Sequence, residues 1–132
     1  MGATLHIDGI AMRPGHPTLL AELPDGRFVV GLPGNPLAAM TSLISIGAPL
    51  LARLASLPMP ATVEVVCGSP VKEYHGPTRL MPYRLLYGLA SPCAFTDSAM
   101  MRGLAAADGI MVVPPHGAKM GETLTAFGLP WA

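Results

Sequence analysis

The chain has 132 residues, 51% of them hydrophobic and only 12% charged, a balance that excludes intrinsic disorder and suffices for one domain or two small ones. Eight basic residues are matched by eight acidic ones, so no global field draws the chain to nucleic acid or to an anionic membrane surface, and any anion site must be local. The apolar surplus predicts surface that another chain, or another part of a longer protein, would cover.

Residues 4–12 (TLHIDGIAM) alternate between apolar and polar positions and predict a strand, with Gly9 at a bend or bulge. The run RPGHP at 13–17 ends it, because proline lacks the amide donor that a sheet ladder needs. A short strand over 18–23, a Pro24-Asp25-Gly26 turn and a buried strand over 27–32 follow. Asn35 is a favoured N-cap type and Pro36 fits a first helical position, so a helix starts there. Its apolar side carries Leu37, Met40, Leu43, Ile44 and Ile46, and Gly47 with Pro49 predicts a kink before residues 50–57.

The proline-punctuated segment LPMPA at 57–61 predicts a boundary between residues 1–57 and a β-rich part over 58–132. Beyond it, 62–67, 79–86, 110–113 and 123–127 read as strands, and 98–107 as a short helix or turn. Cys67 and Cys93 form no CxxC pair and read as buried reduced thiols. Residues 37–57 are interrupted by Thr41, Ser42, Ser45, Gly47, Pro49, Arg53 and Ser56, which fits a packed helix better than a membrane span. Residues 1–10 show no secretion-signal pattern, so the cytoplasm is the expected compartment.

The sharpest local feature is Gly31-Leu32-Pro33-Gly34-Asn35-Pro36, between a strand and a helix. Two readings stand side by side. Pro and Gly can simply make a tight connection; alternatively, amide donors at a helix start, approached closely at Gly34, can hold an anion without formal charge. The preceding Arg13-Pro14-Gly15-His16-Pro17 loop adds weight to the second if both loops line one crevice, as loops at strand ends do in parallel α/β sheets.

A PGxP loop followed by a strand and by GLPGNP opening a helix resembles the MoeA and gephyrin family of molybdopterin molybdenumtransferases. Arg79 and Arg84 resemble that family's paired arginines, Ser98 with AAADGIMVVP at 105–114 its serine-bearing turn and following strand, and Gly121-Glu122 its late turn. The likeness runs through nearly the whole chain. It implies the end of a three-layer α/β molybdopterin-binding domain over residues 1–57 and a small all-β, barrel-like domain over 58–132.

It further implies that Arg13, Pro14, Gly15, His16, Pro17, Pro33, Gly34, Asn35 and Pro36 bind the pterin, and that Arg13, His16, Arg79, Arg84 and Ser98 bind molybdate. Adenylylated molybdopterin and molybdate are the implied substrates, and Mg2+ the implied cofactor, its ligands lying outside these residues. Arg13 and His16 stand where many relatives carry lysine, and Ala38 where a small polar residue is common. Asp8, Asp25, Asp97 and Asp108 are scattered singly and read as turn or capping residues, His6, His75 and His116 as surface positions, and the nine methionines as core filler. No catalytic residue and no metal ligand is assigned. The implied whole is a dimer, with this chain as part of a transferase; a noncatalytic self-association or partner-binding module of the same family is the alternative.

Overall fold

The computed structural model describes residues 2–94 and 101–132. The first strand signal divides in two. β1 (Thr4–Asp8) ends before Gly9, which takes φ 85°, and β2 (Met12–Arg13) leaves for a different sheet. β1, β3 (Leu19–Glu22) and β4 (Phe28–Gly31) form a three-stranded sheet in the order β1-β3-β4. Every pairing in it is antiparallel.

The helix starts where the cap chemistry places it. Asn35 holds an extended backbone and its Oδ1 accepts from Ala38 N at 3.2 Å, with Pro36 first in α1 (Pro36–Ser42). The expected bend takes the form of a π-helical turn over Leu43–Gly47, leading into α2 (Ala48–Leu54). Pro49 has no amide hydrogen, and a wider turn just ahead of it accommodates the missing bond. The 19-residue stretch Pro36–Leu54 is long and apolar enough to cross a membrane by length and composition alone. Leu37, Thr41, Ser42, Ile44 and Gly47 are nevertheless buried within the protein, as in a core helix.

The second sheet runs β2-β6-β8-β9-β5, where β5 is Thr62–Val66, β6 Thr78–Leu86, β8 Gly109–Val113 and β9 Thr123–Gly128. β7 (Leu89–Pro92) folds back on β6 through a two-residue turn with both φ values positive, Tyr87 at 52° and Gly88 at 80°. This matches the right-handed twist of the strands it joins. The short α3 (Met101–Ala105) falls inside the 98–107 segment.

Because side chains alternate across a strand, β8 supplies both faces of this sheet. Met111 and Val113 join Val65, Cys67, Tyr83, Leu124 and Ala126 in one cluster. Ile110 joins Met12, Leu37, Ile44, Leu80, Leu104 and Leu129 in the other. Full burial of each large aliphatic side chain contributes about 1.5–3 kcal/mol. The second cluster draws on residues from both sides of the 57–61 segment.

These observations correct the expected architecture. The chain is one mixed α/β domain with two sheets; the first is antiparallel rather than the edge of a parallel three-layer unit, and neither is closed into a barrel. All five residues of β5 pair with β9. Just beyond β5, the isolated Cys67–Ala90 bridge ties the chain to β7, with Gly68 N donating to Ala90 O at 2.7 Å, and no ladder joins the two strands among the described residues. The chain turns away through Gly68 before a ladder can form.

Candidate functional site

The 13–17 loop is shaped by contacts that the sequence does not advertise. Its Arg13–Pro14 peptide is cis, and Gly15 takes φ 118°, a conformation open in practice only to glycine. A Cβ on Gly15 would stand 2.4 Å from Met12 Cε and 2.9 Å from Ser42 Oγ. Three fully buried hydroxyl residues then tie the loop to the helix. Thr18 Oγ1 donates to Gly15 O at 2.7 Å and lies 2.5 Å from Ser42 Oγ. Thr41 Oγ1 reaches Pro14 O at 3.2 Å and Ala38 O at 3.0 Å.

This docking brings residues 13–17 and 33–35 to the walls of one cavity of about 690 Å3, completed by Ala11, Met12, Ala38 and Pro77. Its lining is largely apolar, with Arg13, His16 and Asn35 as the polar side chains. His16 Nδ1 lies 2.9 Å from Ile10 O. A carbonyl can only accept, so Nδ1 carries the hydrogen. The helix start contributes fewer donors than the sequence suggests. Pro36 has no amide hydrogen, Ala38 N is taken by Asn35 Oδ1, and Ala39 N donates to Asn35 O at 2.8 Å. The amides of Gly34 and Asn35 find no acceptor among the described residues.

Arg79 lies beside Arg13, its partner in the parallel β2–β6 register. Tyr74 is near both, its ring centroid 5.5 Å from Arg13 Cζ and 5.3 Å from Arg79 Cζ. Arg13 Nη1 donates to Tyr74 Oη, and Arg79 Nη2 to Lys72 O. Neither guanidinium has a carboxylate in contact among the described residues.

Arg84 stands apart from this group. It lines a separate cavity of about 310 Å3 with Ser91, Cys93 and Arg102. The reason is parity: Arg79 and Arg84 are an odd number of positions apart on β6 and point to opposite faces. Burial raises the Cys93 thiol above its ordinary range; Arg84 works against the rise and Asp108 adds to it. Ser98 and Asp97 lie outside the described residues. Among the described residues no three His, Cys, Asp or Glu side chains come together as metal ligands.

Sequence reasoning missed Thr18, Thr41, Ser42 and Tyr74. The first three carried a signal, since hydroxyl residues set into an apolar helical run and just after a proline loop invite the question of what they bond. Tyr74 carried none, because its bond to Arg13 spans 61 positions.

No family model matches the chain. Molybdopterin molybdenumtransferases of two cyanobacteria resemble it. That of Synechocystis sp. is 28% identical over 123 residues, 90% of this chain and 30% of the relative. That of Nostoc sp. is 36% identical over 59 residues, 43% of this chain and 14% of the relative. Among solved structures, a molybdopterin biosynthesis MoeA protein of Pyrococcus horikoshii superposes with a TM-score of 0.74 at 25% identity, covering 94% of this chain and 32% of that one. A molybdenum cofactor biosynthesis protein of Pyrococcus furiosus shares the fold, with a TM-score of 0.76 at 22% identity over 96% of this chain and 46% of that one. The chain thus spans less than half the length of the proteins it matches. In sequence and in fold it is a homologue of the MoeA/gephyrin family of molybdopterin molybdenumtransferases.

Proposed function

We propose that this chain supplies part of the substrate site of a molybdopterin molybdenumtransferase, with the cavity between residues 13–17 and 33–35 receiving an oxyanion, molybdate or the phosphate of adenylylated molybdopterin. One observation carries the reading: two loops remote in sequence wall a single cavity lined by Arg13, whose strand partner is Arg79, and no carboxylate among the described residues contacts either guanidinium. Guanidinium forks and free amides match a tetrahedral oxyanion, and the apolar lining suits a ring system. Arg13 binds and orients the anion with Arg79 adding positive charge beside it, and the Gly34 and Asn35 amides approach it from the second loop.

In this reading residues 1–57 furnish the two loops and 58–132 the facing arginine, a division of labour laid over one shared core. Magnesium, implied by the family, finds no ligand set among the described residues. No step is therefore assigned to it here. The remaining groups come from a partner, either a second copy or further polypeptide of the relatives' length, and the setting is cytoplasmic. Catalysis by the isolated chain is not expected.

Equilibrium dialysis against molybdate tests the assignment. The wild-type chain should retain molybdate, the Arg13→Ala/Arg79→Ala double variant should lose it, and Arg84→Ala should behave as wild type. Equal retention by the wild type and the double variant would refute the site.

A further inference from the structure

We propose that Tyr74 is a positioning residue for the oxyanion site, holding the guanidinium of Arg13, which lines the cavity, beside that of its strand partner Arg79; the inference rests on the assignment of that cavity. Strand register sets Arg13 directly beside Arg79, an arrangement in which like charges repel. The Tyr74 ring lies within cation–π range of both, at 5.5 and 5.3 Å. Its phenol oxygen also accepts from Arg13 Nη1. One aromatic ring and one hydroxyl thus offset a repulsion that no carboxylate among the described residues relieves.

The ring is itself held in place by its surroundings. Tyr74 N donates to Pro115 O at 2.8 Å, and Gly76 N to Tyr74 O at 2.9 Å. A Cβ on Gly76 would stand 2.3 Å from Tyr74 Cε1, so glycine leaves the room the ring occupies. Gly117, at φ 81°, brings the 114–118 turn so close that a Cβ there would be 2.2 Å from Val71 O. Arg79 is anchored to Lys72 O at one nitrogen, yet its buried Nε has no partner.

Tungstate binding to the full chain, measured by titration calorimetry, tests the role. Tyr74→Leu keeps apolar bulk without a π face and should weaken binding about tenfold, equivalent to ~1.4 kcal/mol. Tyr74→Phe keeps the face and should recover most of that loss, a rescue that a packing role would give to leucine equally. Gly76→Ala retains all three side chains but displaces the ring, and should weaken binding as Tyr74→Leu does. Wild-type affinity in Tyr74→Leu and Gly76→Ala, with binding lost in Arg13→Ala, would overturn the role of Tyr74 while leaving the cavity assignment standing. Wild-type affinity in Arg13→Ala and Arg79→Ala would overturn both. Equal affinities of the leucine and phenylalanine variants would overturn the cation–π argument.

Discussion

Gly15→Ala is the substitution through which the shape of the cavity can be tested most sharply. At φ 118° an alanine is strained whatever space it has, at a cost of about 1–3 kcal/mol. Its Cβ would also overlap Met12 Cε at 2.4 Å and Ser42 Oγ at 2.9 Å. Met12 belongs to the shared core and Ser42 is bonded to Thr18, so neither yields freely, and overpacking adds about 1–3 kcal/mol. A loss of about 3–4 kcal/mol corresponds to roughly 10–15 °C in Tm for a domain of this size. Gly26→Ala is the control: φ is 85° but nothing lies within 4 Å of the added Cβ, so only the backbone strain remains. Thermal unfolding followed by circular dichroism should separate the two variants clearly, and Gly15→Ala should also weaken molybdate retention. If both variants melt alike, the loop is not packed on the helix as described.

Three further outcomes are expected. Asn35→Ala removes the cap bond to Ala38 N and should lower stability by about 1 kcal/mol in urea unfolding, most visibly in helical signal. Thr18→Val strips the buried Ser42 hydroxyl of its bond, costing about 1–3 kcal/mol, whereas Ser42→Ala leaves Thr18 Oγ1 bonded to Gly15 O and should cost less; the double variant should cost less than the sum, as a double-mutant cycle would show. Burial raises both the Cys93 thiol and, with Asp108, the Tyr83 phenol above their ordinary ranges. Their contribution is therefore complete below the ordinary thiol value of about 8.5 and fades as pH rises through the elevated values. Urea midpoints should fall in alkaline buffer, and Cys93 should react with iodoacetamide more slowly in the folded chain than in the unfolded one.

What the sequence disclosed was local. The helix start at Asn35 and the kink near Pro49 were legible because a cap and a missing amide act within a few residues of themselves. The family resemblance rested on GLPGNP and PGxP, short motifs whose spacing survives without knowledge of the fold. The division of residues 4–12 between two sheets was not legible, since Gly9 marks a break without saying which strand each half will pair with. Barrel closure failed as an expectation for a related reason: it depends on whether β5 and β7 form a ladder, and one bridge does not make one. The separation of Arg84 from Arg79 could have been read from strand parity. Tyr74 and the unsatisfied Arg79 Nε emerge only when the chain brings residues 13, 74 and 79 together.

The central claim is that an oxyanion sits between the 13–17 and 33–35 loops beside Arg13. Anomalous diffraction from a crystal of the chain grown with tungstate tests it most directly. The account predicts a tungsten peak inside that cavity, within hydrogen-bonding reach of Arg13 and of the Gly34 or Asn35 amide. A peak confined to the Arg84 cavity, or an empty 13–17 cavity at saturating tungstate, would contradict it.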